Sequence, residues 1–331
     1  MSLKAIAKQL GISVTTVSRA LNGYDDVSQE TRARVEAEAQ RRGYRPNTFA
    51  RRLKMGTIDA VGLVFPVRPA PLNNNVFLEM VGEISHELAR HDIDLLLIAD
   101  DEQADKHGYM RMVQGRRVDA LIVAHTLDDD PRLAQLQASG FPFLALGRSR
   151  LAQPYAWFDF DNYAGTCRAT RHLIQQGHQR IALLGENNNQ AFILQRRNGY
   201  LDALREAGLS DAWLRSVPAT RRGGYQATLE LLRLPELPTA IITDCNTHGD
   251  GAAMALAHLG RLTGDNRVAL VVYDGLPQDS IIETDVAAVI QSTRQGVGRQ
   301  IADMVRRLIA GEDLATLQVL WQPEFFPGET A

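Results

Sequence analysis

The chain reads IAKQLGISVTTVSRALN over residues 6–22, and this stretch contains two short helical patterns separated by a glycine. Apolar residues recur at helical spacing up to Gly11, a residue type that commonly ends a helix. Ser13 is a favourable N-cap for the second helix, and Ser28 begins a third helix that ends at Arg42. Two helices joined by a glycine-containing turn and supported by a third helix form a helix-turn-helix unit, whose second helix fits the major groove of DNA.

Positive charge is concentrated in the same part of the chain. The 331 residues carry a formal net charge of −3, but residues 1–56 hold eleven Lys and Arg against five Asp and Glu. The N-terminal region therefore has a charge of +6, which leaves −9 for the remainder. A basic region on an acidic protein indicates a polyanionic partner for that region alone. The charge alone also fits a solvated face, and the helices alone fit a small three-helix bundle, but together they favour DNA binding.

The composition is that of an ordinary folded protein. It is 45% hydrophobic, and no apolar run approaches the ~18–20 residues that span a bilayer. Residues 1–8 lack the apolar core of a signal peptide. The two cysteines, Cys167 and Cys245, form no disulfide framework and match no zinc-ligand spacing. We therefore expect a soluble cytoplasmic protein of two or three domains, with no cofactor, no metal site and no membrane partner.

A short basic segment follows the three helices. Asn47 can cap a helix over 48–54 that ends before Gly56. This helix is too short to be stable alone, because isolated helices are marginal below ~12–15 residues. The segment should therefore become ordered only when its apolar side is buried, and Leu53 beside Arg and Lys suits insertion into a DNA minor groove. From the residues alone, a basic linker to the next domain is an equal alternative.

The N-terminal residues resemble the LacI/GalR family of bacterial repressors. The resemblance rests on 6–22, on Val-Ser at 27–28, on Thr-Arg at 31–32 and on Tyr-Arg-Pro-Asn at 44–47, and it extends over the whole chain. It implies a homodimer that inserts one Leu53 per subunit at the centre of a near-palindromic operator. The implied DNA-binding residues are Ser13, Val14, Thr15, Thr16, Arg19, Asn22, Asn47, Ala50, Leu53 and Lys54.

Strand-like and helix-like segments alternate along the rest of the chain. Short apolar runs such as 58–65 and 268–273 are separated by amphipathic stretches, which is typical of parallel sheets covered by helices on both faces. The length fits two such α/β units, the second beginning near residue 162, with a ligand site in the cleft between their strand ends. The resemblance implies the same architecture, a type I periplasmic-binding-protein-like body in which the chain crosses between subdomains three times. The expected crossings lie near 159–162, 288–291 and 318–322.

The predicted domain organisation has four parts. The helix-turn-helix domain covers 1–46, and the hinge helix with its linker covers 47–57. The N-terminal effector-binding subdomain covers 58–160 with 290–318, and the C-terminal effector-binding subdomain covers 161–289 with 319–331.

Polar side chains that follow the predicted strands are the candidate ligand contacts. Carboxylate, amide and guanidinium groups beside an aromatic ring suit a sugar, because they pair with its hydroxyl groups while the ring packs on its C–H face. The resemblance implies ligand contacts for Arg196, Asp274 and the stacking Phe77, whereas Asn246 falls where the family has aspartate. Asp161 can instead cap the helix that follows it. The predicted effector-binding residues are Phe77, Arg148, Asp161, Arg196, Asn246 and Asp274.

No catalytic motif supports an enzyme. The sequence has no phosphate-binding P-loop, no Gly-x-Gly-x-x-Gly, no His-Glu-x-x-His and no Gly-x-Ser-x-Gly. We predict a DNA-binding regulator whose operator affinity depends on a small molecule bound in the cleft. Residues 147–149 and 155–159 resemble regulators of glucoside and related sugar uptake and favour a carbohydrate effector over a purine. A regulator of the same family that responds to a purine, a nucleoside or a sugar phosphate is the alternative. A sugar-binding receptor without a DNA role is the alternative from another class, and the basic N-terminal region argues against it.

Overall fold

The computed structural model describes residues 3–21, 24, 26–44, 57–67, 75–101, 107–291 and 296–331. The chain divides into two compact units, Met1–Asp59 and Ala60–Ala331, which we call the head and the body. The predicted hinge helix over 48–54 lies outside the described residues. So do five of the predicted DNA contacts, namely Asn22, Asn47, Ala50, Leu53 and Lys54.

Three helices form the described part of the head. Helix α1 spans Leu3–Leu10, α2 spans Val14–Leu21 and α3 spans Gln29–Arg41. The apolar side chains between them form a small core of Ile6, Ala7, Val17, Ala20, Val27, Val35 and Ala39. The predicted helix-turn-helix unit is confirmed, and its third helix ends one residue earlier than expected.

The caps expected from the sequence set the bounds of these helices. Ser13 Oγ accepts a hydrogen bond of 2.9 Å from the backbone N–H of Thr16. Ser28 Oγ accepts one of 3.3 Å from the backbone N–H of Thr31. Gly11 adopts a φ of 66°, a left-handed conformation that glycine reaches without a steric penalty. Local residue chemistry therefore ends α1 and begins α2 and α3.

The body has twelve strands and eight α-helices among its described residues. In chain order the strands are β1 (Ala60–Pro66), β2 (Asp94–Asp100), β3 (Ala120–Val123), β4 (Phe143–Leu146), β5 (Ala156–Phe160), β6 (Ile181–Gly185), β7 (Leu214–Ser216), β8 (Ala240–Thr243), β9 (Ala269–Tyr273), β10 (Ala287–Ile290), β11 (Gln318–Trp321) and β12 (Glu324–Phe326). The helices are α4 (Asn75–Ala89), α5 (Gly108–Gln114), α6 (Pro131–Ser139), α7 (Asn162–Gln175), α8 (Ala191–Glu206), α9 (Arg221–Leu231), α10 (Asn246–His258) and α11 (Val297–Ile309). No described helix is long and apolar enough to span a bilayer.

The strands form two six-stranded sheets. The first has the order β11-β5-β4-β3-β1-β2 and is parallel throughout. The second has the order β12-β10-β9-β8-β6-β7, in which β12 alone is antiparallel to its neighbour. Strands β1, β3, β6, β8 and β9 are buried along their whole length, because helices cover both faces of each sheet.

The chain passes between the two sheets three times. It leaves the first sheet after β5, returns to it after β10 and leaves it again after β11. The predicted last boundary, which assigned 319–331 to the C-terminal subdomain, is wrong for the residues of β11, because that strand pairs with β5 of the first sheet. The pairing joins residues about 160 positions apart in the chain, so the local sequence pattern carries no sign of it.

Gly199 lies where α8 crosses α7. A Cβ atom at this position would overlap the carbonyl oxygen of Tyr163 and lie 3.0 Å from the backbone nitrogen of Cys167. Gly199→Ala should force the helices apart and lower the free energy of unfolding by about 1–3 kcal/mol, which corresponds to a fall in Tm of roughly 2–12 °C. Thermal unfolding measures this, with Asn198→Ala on the exposed side of α8 as the matched control. An unchanged Tm for Gly199→Ala would contradict the close packing of these helices.

Candidate DNA-binding surface and ligand cleft

One face of α2 and its N-cap is exposed and carries the predicted DNA contacts. The side chains of this face are Ser13, Val14, Thr15, Thr16 and Arg19, of which Thr16 is partly buried. Val17 and Ala20 point the opposite way into the core of the head. An exposed valine among hydroxyls and an arginine offers both an apolar contact for a thymine methyl and donors for base edges.

Arg19 is held by two residues that follow α2. Its Nε donates a hydrogen bond of 3.0 Å to Asp26 Oδ1, and its Nη2 pairs with Asp26 Oδ2. The guanidinium carbon lies 4.8 Å from the centre of the Tyr24 ring, within cation–π distance. The long side chain of Arg19 is thus fixed in one direction at the surface of the head.

Two groups of basic residues can be distinguished in the described head. Glu38 accepts hydrogen bonds from Arg41 and Arg42, and these bonds lower the pKa of Glu38 to about 2. The charge of this pair of arginines is therefore partly offset. The exposed residues Lys4, Lys8 and Arg34 form no ion pair with another described residue, which leaves their charges available to phosphates.

A cavity of about 530 Å³ lies between the two sheets of the body. Its walls come from the carboxyl ends of β3, β4 and β5 on one side and of β6, β8 and β9 on the other. The volume lies within the roughly 300–1,000 Å³ usual for small-molecule sites. The cavity is therefore where parallel-sheet topology places a ligand, outside the carboxyl ends of the strands.

Arg196 is the centre of the polar wall and is 4% exposed. Its Nε donates a hydrogen bond of 2.9 Å to Asn162 Oδ1, and its Nη1 donates to the carbonyl oxygen of Asp244. Its Nη2 lies 3.8 Å from Asp274 Oδ2, and its guanidinium carbon lies 3.5 Å from the centre of the Tyr273 ring. Arg196 thus connects the start of α7 with the ends of β8 and β9.

Asp274 faces the cavity with an unused acceptor. The residue follows β9 in a left-handed conformation, with a φ of 68°. Its Oδ1 is buried and forms no hydrogen bond to another described residue. Burial raises the pKa of Asp274, and the charge of Arg196 opposes that effect. Because a buried acceptor without a donor costs free energy, a ligand hydroxyl that donates to Oδ1 would stabilise the site.

Aromatic rings form a second wall, which meets the polar wall at Phe192, 4.9 Å from the guanidinium carbon of Arg196. The His125 ring lies 5.1 Å from the Phe77 ring and 5.8 Å from the Phe192 ring, edge-on in both cases. Burial lowers the pKa of His125 to about 4, so its imidazole is neutral at physiological pH. This wall can therefore pack against the apolar face of a ligand without adding a charge.

Main-chain hydrogen bonds hold the two subdomains together at one edge of the cleft. The N–H of Ala191 donates a hydrogen bond of 2.8 Å to the carbonyl oxygen of Thr126. The N–H of Asp128 donates one of 3.1 Å to the carbonyl oxygen of Asn189. The loop after β3 and the loop before α8 are paired by these bonds. Opening the cleft at this edge requires the two bonds to break.

Asp244, Cys245 and His248 lie close enough to share a cation, with ligand atoms within 4.8 Å of one another. His248 Nδ1 is 2.7 Å from Asp244 Oδ1, and its Nε2 is 2.7 Å from the carbonyl oxygen of Pro218. Both ring nitrogens thus face acceptors, as in an imidazolium ion. Burial lowers the pKa of His248, but Cys245 and the hydrogen bond to Asp244 outweigh it and raise the pKa above its ordinary value. A buried ion pair therefore accounts for this cluster, and the absence of a metal site stays a prediction.

Two family descriptions match the chain. Residues 2–47 match the bacterial regulatory proteins of the lacI family. Residues 58–330 match the periplasmic binding proteins and sugar binding domain of the LacI family, which is more than half of the chain. The chain belongs to the LacI family. The resemblance predicted from the N-terminal residues is thereby confirmed.

Known transcriptional regulators are similar to this chain over most of their own length. The HTH-type transcriptional regulator RafR of Escherichia coli is 64% identical over 330 residues, which are 100% of this chain and 98% of RafR. A crystal structure of a transcriptional regulator from Yersinia pestis biovar Microtus str. 91001 has 49% identity and a TM-score of 0.79, over 82% of this chain and 98% of that one. The transcriptional regulator CelR–cellobiose complex has 26% identity and a TM-score of 0.71 over 100% of both chains. This chain is accordingly a DNA-binding transcriptional regulator with the predicted fold.

Three of the six predicted effector residues line the cavity of this LacI-family body, namely Phe77, Arg196 and Asp274. The other three are not among its described lining residues. Asp161 caps α7, since its Oδ1 accepts a hydrogen bond of 3.0 Å from the N–H of Ala164. Asn246 is buried at the start of α10. Arg148 lies beside the cavity, where it donates a hydrogen bond of 2.9 Å to Asp159 and one of 3.2 Å to Gln195 of the other subdomain.

The prediction missed several polar residues of the LacI-family cleft. These are Asp159, Glu186, Gln190, Asp244 and Gln291. Asp159 lies within β5, and Asp244 directly follows β8. The prediction chose Asp161 and Asn246, and in both places the residue that lines the cavity comes two positions earlier in the chain. Hydrophobic patterning locates a strand end, but it does not say which of the next few side chains turns into the cleft.

Proposed function

We propose that this LacI-family protein is a repressor whose operator affinity is controlled by an uncharged carbohydrate bound in the cleft. The charge of the polar wall carries this proposal. Four carboxylate side chains line the cavity, those of Asp159, Glu186, Asp244 and Asp274. Among the described lining residues, Arg196 is the one Lys or Arg, and its donors are already directed at protein oxygens.

Two of these carboxylates pair with cations outside the lining, Arg148 and His248, but the acidic groups still outnumber the cations and disfavour anionic ligands. A sugar phosphate or a nucleotide would bring its charge next to fixed acidic groups in a partly buried site, where repulsion is weakly screened. A neutral sugar brings hydroxyl donors instead, and the unused Oδ1 of Asp274 accepts one of them. The rings of Phe77 and Phe192 can pack on its C–H face. The CelR–cellobiose complex, a LacI-family relative with a bound sugar, supports the same ligand class.

We propose that the active form is a homodimer in the cytoplasm, where its operator is accessible. Strand β2 is the edge of the first sheet and exposes Leu96 and Leu97, and Leu78 is exposed on α4, which packs against β2. An apolar sheet edge of this kind is a pairing surface. Two copies joined there would present two heads to a pseudo-palindromic operator. No catalytic step is part of the proposal.

A thermal-shift screen combined with DNA binding tests the proposal. The operator is first selected from a random duplex pool by the full-length protein. We expect a neutral mono- or oligosaccharide to raise the Tm by roughly 5–10 °C at a hundred times its Kd. The same sugar should change operator affinity by about 5–150-fold. Stabilisation by phosphorylated sugars or purines, with no response to neutral sugars, would overturn the carbohydrate assignment.

A further inference from the structure

The geometry of the head points to Asp26 as a positioning residue for base recognition: we propose that its carboxylate orients Arg19 so that the free edge of the guanidinium meets a guanine. This inference rests on the proposed DNA-binding function and on the predicted DNA contact of Arg19, whose donors suit a base edge. Nothing in the LacI-family motif that suggested Arg19 assigns a role to Asp26.

The hydrogen-bonding capacity of Arg19 is divided between two edges. A guanidinium carries five N–H donors in a rigid planar fork. Asp26 takes one side edge of this fork, through Nε and one hydrogen of Nη2. Both hydrogens of Nη1 and the second hydrogen of Nη2, on the other edge, form no hydrogen bond to another described residue. Two of these are what a bidentate bond to guanine O6 and N7 requires.

Asp26 therefore does not compete with the base for Arg19. The carboxylate and the guanine use different edges of the same group, so both contacts can exist at once. The Tyr24 ring, 4.8 Å from the guanidinium carbon, limits the movement of the guanidinium plane toward the ring. A flexible arginine fixed in this way loses less conformational freedom when it binds the base, because its direction is already set.

The position of Asp26 at a DNA-facing surface would otherwise be unfavourable. Its side chain is 54% exposed and that of Arg19 is 44% exposed, so neither is required by the core. A carboxylate near the phosphates weakens DNA binding by repulsion. Asp26 should therefore lower the general affinity for DNA while it raises the selectivity at one base pair. These opposite effects distinguish a positioning role from a purely structural one.

The test measures selectivity base pair by base pair. The probe is a duplex selected from a random pool by the full-length protein, together with its single base-pair substitutions. Arg19→Ala should remove discrimination at one G·C pair of each half-site. Asp26→Asn should reduce discrimination at that same pair by about 3–10-fold and leave the other pairs unchanged, while affinity for unrelated duplex stays constant or rises. Asp26→Glu should restore part of the selectivity.

The matched control is Glu36→Gln on the exposed face of α3, which removes the same charge from the head without touching Arg19. It should leave discrimination at every base pair as in the unaltered protein. If Asp26→Asn discriminates as well as the unaltered protein at the base pair that Arg19→Ala affects, the inference is overturned, while the base contact of Arg19 stands. Equal losses at every pair would also overturn it, as a sign of altered folding. No loss in Arg19→Ala would overturn the base contact and the inference together.

Discussion

The affinity of the full-length protein for its selected operator should fall by about 10³-fold or more when monovalent salt rises from 50 to 200 mM. Residues 1–56 of each head carry a net charge of +6, and a dimer presents two heads to the same duplex. Cations bound along DNA are released when Lys and Arg neutralise phosphates. Six to ten such phosphate contacts give a loss of affinity of this size, because added salt opposes the release of the bound cations.

The described head indicates which residues contribute to this salt dependence. Lys4 and Lys8 lie on α1, the helix that crosses the DNA backbone in a helix-turn-helix complex, and both are exposed. Arg41 and Arg42 contribute less, because Glu38 already pairs with them. We therefore expect the α1 lysines to account for a measurable part of the slope.

Fluorescence anisotropy at five or more salt concentrations gives the slope of log K against log salt. Lys8→Gln should reduce the magnitude of this slope by about 1.8, because each lost phosphate contact lowers it by about 0.9 and the dimer loses one contact in each subunit. Arg205→Gln, which removes an exposed positive charge from the body, should leave the slope as it is. A flat salt profile for the unaltered protein would contradict phosphate contact by the head.

The fold of the head could be predicted almost completely, because its signals are local. Ser13, Ser28 and Gly11 act within three or four residues of where they stand, and the structure shows each at the predicted helix end. The three helices are close in sequence, so their core needs no long-range pairing. The segment around Leu53 lies outside the described residues, and its insertion into DNA stays a prediction.

The cleft could be predicted only in part, because its residues come from both sheets. The sequence indicates that Arg196 lies on a helix and that Asp274 follows a strand, and both line the cavity. It offers a ligand contact and a cap of the next helix as alternatives for Asp161, and it does not indicate that Asp159 lines the cavity. Side-chain direction at a strand end depends on the exact residue where the strand stops, and alternation over four or five residues does not fix it.

Replacing Arg196 with alanine should abolish the response of operator binding to the sugar found in the thermal-shift screen. Arg196 directs its donors to Asn162 and to the carbonyl of Asp244, and it is the cation that faces Asp274. Its removal leaves these cleft groups without the side chain that holds them in place, and it leaves a buried carboxylate unpaired. The sugar Kd should therefore rise by about tenfold or more, a loss of at least ~1.4 kcal/mol. Operator affinity without sugar should change by less than about threefold, because the head is a compact unit distinct from the body that contains Arg196.

The control and a second variant separate loss of the site from loss of folding. Arg197→Ala removes the same side chain one position along α8, outside the lining of the cavity, and should retain the sugar response. Arg196→Lys keeps a cation beside Asp274 but cannot reach Asn162 and Asp244 at the same time in the fork geometry of arginine. Its Kd should lie between those of the unaltered protein and Arg196→Ala. If the lysine variant folds and binds the sugar as tightly as the unaltered protein, the cleft recognises its ligand through other groups, and Arg196 serves only to connect the strand ends.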